Sequence, residues 1–80
     1  MSFMLEVLYK SPRDALRETA ILERVSRFGG RLTYREEPAA ADAGPVCLTY
    51  EFNDLSIANE AASNLRQSGE RVEGPMDYGT

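Results

Sequence analysis

Residues 44–69 read GPVCLTYEFNDLSIANEAASNLRQSG, and within them the hydrophobic period changes once, from two residues to about 3.6. Val46, Leu48, Tyr50 and Phe52 alternate with Cys47, Thr49 and Glu51, the pattern of a strand with one buried face. Asn53 and Asp54 break the alternation. Ala58, Ala61, Ala62 and Leu65 then recur at helical spacing, while Asn59, Glu60, Ser63, Asn64, Arg66 and Gln67 cover most of the remaining helix surface. Gly69 stops the helix. A stripe of alanines lets a helix axis approach a sheet closely, so this helix is expected to lie on the face of Val46, Leu48, Tyr50 and Phe52. One strand and one helix cannot enclose a core, and the rest of the chain must complete the sheet.

Upstream, Phe3, Leu5, Val7 and Tyr9 alternate with Met4, Glu6 and Leu8 to give a first strand, placed in the middle of the sheet because both its faces carry apolar residues. Ser11, Pro12 and Asp14 follow, with Ser11 as a cap and Pro12 at the first helical position. Ile21, Leu22, Val25 and Phe28 form the apolar stripe of this first helix, and Leu16 points away from it. The helix therefore starts either at the cap or nearer Glu18. Arg24 and Arg27 in its last turn and the pair Gly29-Gly30 mark its end. A second strand over 31–37 alternates Leu32 and Tyr34, assigned to the core, with Arg31, Thr33 and Arg35. Residues 38–45, PAAADAGP, form a flexible loop to the third strand. Arg71 to Glu73 give a short fourth strand interrupted at Gly74-Pro75, with Met76 and Tyr78 as late packing contacts, and 77–80 are expected to fray.

The order is strand, helix, strand, strand, helix, strand, in a single domain spanning 1–80. Right-handed crossovers put strands one and three in the centre, giving the order 4-1-3-2 with both helices on one face. This is an α+β sandwich of the split βαβ, or ferredoxin-like, type.

Composition narrows the function classes. The chain has one cysteine and no histidine, so it has neither an internal disulfide nor a Cys/His zinc cluster, and it lacks the usual general base near neutral pH. No cofactor or metal is expected, and an enzyme is disfavoured. The formal net charge of −4 repels phosphate backbones. No apolar run reaches the roughly 20 residues of a membrane-spanning helix, and the first ten residues lack the grammar of a secretory signal, so the expectation is cytoplasmic.

Residues 21–32, ILERVSRFGGRL, resemble the first helix and helix exit of an RNA-recognition motif, and 46–65, VCLTYEFNDLSIANEAASNL, resemble its third strand and second helix. That resemblance implies base stacking on the open sheet face. Aligned on Phe52, Leu5 and Val7, the stacking positions fall on Cys47, Thr49 and Glu6, none of them aromatic, which forfeits about 1–3 kcal/mol per base. The chain is also similar to ACT-type regulatory domains in strand order, length and the glycines after helix one, though the loop after strand one has Ser11 and Pro12 in place of that family's glycine turn. The glycine-rich cradle of acylphosphatase-like enzymes is absent from this loop. So is the acidic metal ligand of small ferredoxin-like nucleases, whose position holds Tyr9 or Lys10.

Two functional expectations follow. The first is a non-enzymatic interaction or regulatory module, contacting a protein partner or a second copy through its open sheet face or the edge of strand two. Its surface would comprise Met4, Glu6, Leu8, Arg35, Cys47, Thr49 and Glu51, with Glu51 pairing Arg31 and Arg35 across the sheet. The alternative is a divergent RNA-binding domain that uses Arg24, Arg27, Arg31 and Arg35. Cys47 is expected to be a packed thiol, and Glu36, Glu37 and Asp77 solvated carboxylates.

Overall fold

A computed structural model describes residues 2–40 and 44–77. Within them the chain runs β1 (Phe3–Lys10), α1 (Ala15–Arg27), β2 (Arg31–Glu36), β3 (Pro45–Phe52), α2 (Leu55–Gln67) and β4 (Arg71–Asp77). The strands form one antiparallel sheet in the order β2-β3-β1-β4, which read from the opposite edge is β4-β1-β3-β2. This small α+β arrangement is consistent with a ferredoxin-like sandwich.

The two helices share one set of start and stop signals. Asp14 and Asp54 are extended N-caps whose carboxylates accept the backbone N–H of Arg17 and of Ile57, each at 3.0 Å. At the far ends Gly29 and Gly69 take positive φ, and six-residue closures follow from Gly30 N to Val25 O and from Glu70 N to Leu65 O. Asp14 is therefore the cap of α1, not Ser11, whose hydroxyl donates to the carbonyl of Gly44 instead. Leu16 is 85% exposed, as its place on the helical wheel requires.

The core forms where the alternating strand residues meet the helix stripes. Leu5, Val7 and Tyr9 of β1 and Val46, Leu48, Tyr50 and Phe52 of β3 pack with Ile21, Val25, Ala58, Ala61, Ala62, Leu65 and Val72, all of them buried. The alanines of α2 are fully enclosed, which is the close approach that their size permits. Leu22, assigned to the stripe of α1, is 38% exposed and faces a shallow groove shared with Leu32.

Two bulges depart from the sequence pattern. In β2 the register steps from Leu32 opposite Tyr50 to Tyr34 opposite Thr49, so Thr33 is an extra residue and every later side chain changes sides. Tyr34 thus joins the open face rather than the core, at 59% exposed, and Arg35 moves from the open face to the helix side, opposite Leu48. In β4, Gly74 and Pro75 stand against Leu5 alone, between the pairs of Glu73 with Glu6 and Met76 with Met4. Gly74 has φ +103, and a Cβ there would lie 2.8 Å from the Met4 carbonyl oxygen, so the bulge requires glycine. The strand consequently continues past the expected break, as far as Asp77 opposite Phe3. Pro45, assigned to the loop, is the first residue of β3. Residues 38–40 and 44 of the expected loop belong to no helix or strand, while its residues 41–43 and residues 78–80 of the expected frayed tail lie outside the described residues.

Candidate partner surface

Helices cover one side of the sheet, and among the described residues no element covers the other. Pairing arranges that open face in three rows that cross β2, β3, β1 and β4 in turn. The first is Arg31, Glu51, Met4 and Met76; the second Tyr34, Thr49, Glu6 and Glu73; the third Glu36, Cys47, Leu8 and Arg71. Six of the seven residues expected on a partner surface, Met4, Glu6, Leu8, Cys47, Thr49 and Glu51, are brought together here. The seventh, Arg35, is on the other side of the sheet because of the β2 bulge.

Electrostatics divide the face. Arg31 and Glu51 form an ion pair across the first row, so Glu51 takes Arg31 and not Arg35. Glu6 and Glu73 stand directly opposite each other, an unfavourable placement for two like charges. Glu6 accepts a hydrogen bond from the Cys47 thiol at 3.3 Å, and Glu73 pairs with Arg71 at 3.3 Å. Burial, reinforced by the Glu6 carboxylate, pushes the Cys47 thiol up to about 11. The thiol is partly buried in the open face and donates to Glu6.

Two clefts flank the third row and differ in charge. Beside β2 and β3 a cleft of about 570 Å³ includes Glu6, Glu36 and Glu37, with Leu8 and Cys47 at its floor. Beside β1 and β4 a cleft of about 420 Å³ includes Lys10, Arg17 and Arg71 around Leu8 and Tyr9. One end of the row is acidic and the other basic.

On the helix side the polar groups satisfy one another. The Arg35 guanidinium donates to both carboxylate oxygens of Glu18, at 2.7 and 2.8 Å, and pairs with Glu37 at 2.7 Å. The Tyr9 hydroxyl also donates to Glu18 and accepts the backbone N–H of Asp14. Arg17 lies over the Tyr9 ring, 5.4 Å from its centre, and pairs with Glu70 at 2.8 Å. Arg35 above all, with help from Tyr9, holds the Glu18 carboxyl below its usual range against the opposing effect of burial. Burial in turn raises the Tyr9 phenol. This network fastens α1 to β1 and β2, and its donors and acceptors are already engaged.

The four arginines of the RNA alternative do not converge. Arg24 and Arg27 extend from α1, where they meet Asn64 at 3.2 Å and Glu23 at 3.7 Å; Arg31 is on the open face; Arg35 is on the helix side. Sequence reasoning missed Tyr34, Glu36, Arg71, Glu73 and Met76 as members of the face. The alternation of Arg71 and Glu73 about Val72 signals two of them, whereas Tyr34 and Met76 reach the face only through bulges. Among the described residues no group of three or more His, Cys, Asp or Glu side chains is placed to hold a metal ion, and no helix is long and apolar enough to cross a membrane. In comparisons with family models and with curated proteins the chain matches none.

Proposed function

We propose that this chain is a non-catalytic association module that docks a protein surface onto its open sheet face. The observation that carries this reading is the third row, in which Cys47 and Leu8 lie side by side between Glu36 and Arg71, with Thr49 next to them in the second row. An apolar to weakly polar centre with a charged rim is the anatomy of a protein interface. Among the described residues Glu6, Glu36, Glu51 and Glu73 outnumber Lys10, Arg31 and Arg71 on this face, which opposes a phosphate backbone and favours a protein over RNA. Tyr34 is the one aromatic of this face among the described residues and does not offset four carboxylates.

Photo-crosslinking in cells tests the reading. A photoreactive phenylalanine analogue at Thr49, in the centre of the face, is expected to give a discrete protein adduct. The same group at Ser63, exposed on α2, is expected to give none. Adducts confined to position 63, or RNA as the adduct at position 49, would overturn it.

A further inference from the structure

We infer that the occupant of the open face is a second copy of this chain, stacked sheet on sheet about a two-fold axis that runs parallel to the strands between β3 and β1. The inference rests on the association reading above and adds the identity and geometry of the partner. Such an axis keeps each row facing itself and exchanges β2 with β4 and β3 with β1. Glu36 then faces Arg71 of the second copy, and Arg71 faces its Glu36, so the two ends of the third row form two ion pairs. The acidic cleft of Glu36 and Glu37 meets the basic cleft of Lys10 and Arg71 by the same operation. In the second row Glu6 faces Thr49 and Glu73 faces Tyr34, so the two carboxylates that oppose each other within one sheet each meet a hydroxyl donor of the other. Leu8 faces Cys47 and forms the apolar centre. No like charges face each other directly; the nearest, the two Glu6 carboxylates, flank the axis about one strand spacing apart, each opposite a Thr49 hydroxyl.

The other in-plane axis, perpendicular to the strands, is worse. It keeps the columns and exchanges the first and third rows, which sets Glu6 on Glu6 and Glu73 on Glu73 in the second. Like charges placed directly together across an interface act against that arrangement, so charge selects the strand-parallel axis. Sheets stacked with nearly aligned strands are also a standard packing mode. Four strands at about 4.8 Å spacing and three rows about 6.8 Å apart give a flat footprint of about 400 Å² on each copy. This is half the usual area per partner, so the dimer is weak and depends on concentration.

The test is a charge exchange between two single variants, with association read by sedimentation equilibrium up to about 1 mM chain. Wild type is expected to dimerise. Glu36→Arg alone places two arginine pairs in contact and Arg71→Glu alone two glutamate pairs, so each is expected to weaken self-association on the order of tenfold or more. An equimolar mixture of the two restores both opposite-charge pairs in the mixed dimer and is expected to recover association near the wild-type level. Circular dichroism melts of the variants check that each is folded. A wild type that stays monomeric, or a mixture no better than its components, overturns the dimer. Crosslinks at Thr49 to a different protein overturn it too, yet leave the association reading standing.

Discussion

Among the described glycines Gly30 has the least room for a side chain, and it gives the sharpest stability prediction. A Cβ at this position would lie 2.5 and 2.6 Å from Cζ and Cε2 of Phe52 and 2.6 Å from Cγ1 of Val25. Carbon atoms in contact sit about 3.5–4.0 Å apart, so the overlap is about 1 Å against three atoms at once. Phe52 and Val25 are both buried, which leaves the ring and the valine little room to retreat. Gly30→Ala is therefore expected to cost about 2–3 kcal/mol, in the upper part of the overpacking range. For a domain of this length, with roughly 4–12 kcal/mol in all, that lowers Tm by about 10–20 °C. Phe52→Leu removes two of the three clashing atoms and alone costs on the order of 1–2 kcal/mol. The double variant is expected to be clearly more stable than the sum of the two losses, because the pair shares one space. Gly29→Ala is the control. Its φ of +80 carries a cost of about 1–2 kcal/mol, but an added Cβ meets nothing within 4 Å, so Phe52→Leu should not rescue it. Urea and thermal melts of wild type, the three single variants and the two double variants with Phe52→Leu decide the matter. A Gly30→Ala variant within about 0.5 kcal/mol of wild type, or strict additivity with Phe52→Leu, would refute the reasoning.

Glu18 links stability to pH. Its carboxyl titrates below the unfolded value when folded, so its contribution is fully present above the unfolded carboxylate pKa and is lost as pH falls through the folded one. Wild type should lose urea resistance across that acidic window, and Glu18→Gln should be weaker near neutral pH with a shallower acid decline; parallel declines would sink the assignment. Cys47, pushed up to about 11 by burial and Glu6, should react slowly with iodoacetamide, at a rate still rising with pH beyond the usual thiol value of about 8.5. Glu6→Gln should accelerate it. A rate that levels off near the usual value would show an ordinary exposed thiol.

The core was legible in the sequence because it depends only on period and size. Alternation in β1 and β3 placed Leu5, Val7, Tyr9, Val46, Leu48, Tyr50 and Phe52, and the alanines of α2 announced a helix lying close to the sheet; all these residues are buried. Helix ends were legible at the glycines for the same reason, since they are written in adjacent residues, whereas Asp54 stood out only as a break in the strand period and its capping role came from the structure. Ser11 and Asp14 are both of capping type and stand within four residues of each other, and only the course of the chain after β1 chooses Asp14.

The open face was half legible, and the reason is physical. A strand of period two carries side-chain sides only until the count between partners changes, and one extra residue reverses everything beyond it. Thr33 does this in β2. No local signal marks it, for Arg31 to Glu37 alternates equally well without a bulge, and what fixes the slip is tertiary: it lets Arg35 reach both oxygens of Glu18 and the neighbouring Glu37. The same slip delivers Tyr34 and Glu36 to the open face. The bulge at Gly74 acts likewise at the other edge, returning Met76 to that face after the interruption. Both edge columns, and with them Glu36 and Tyr34 on one side and Met76 on the other, thus depend on a register tied to α1 through Arg35 and Glu18 at one edge and to the neighbouring β1 backbone at Gly74 at the other. Perturbing the Arg35 to Glu18 contact should therefore move the residues of the open face although no atom of that contact lies on it, so if the proposed association is right, the register of β2 couples it to stability.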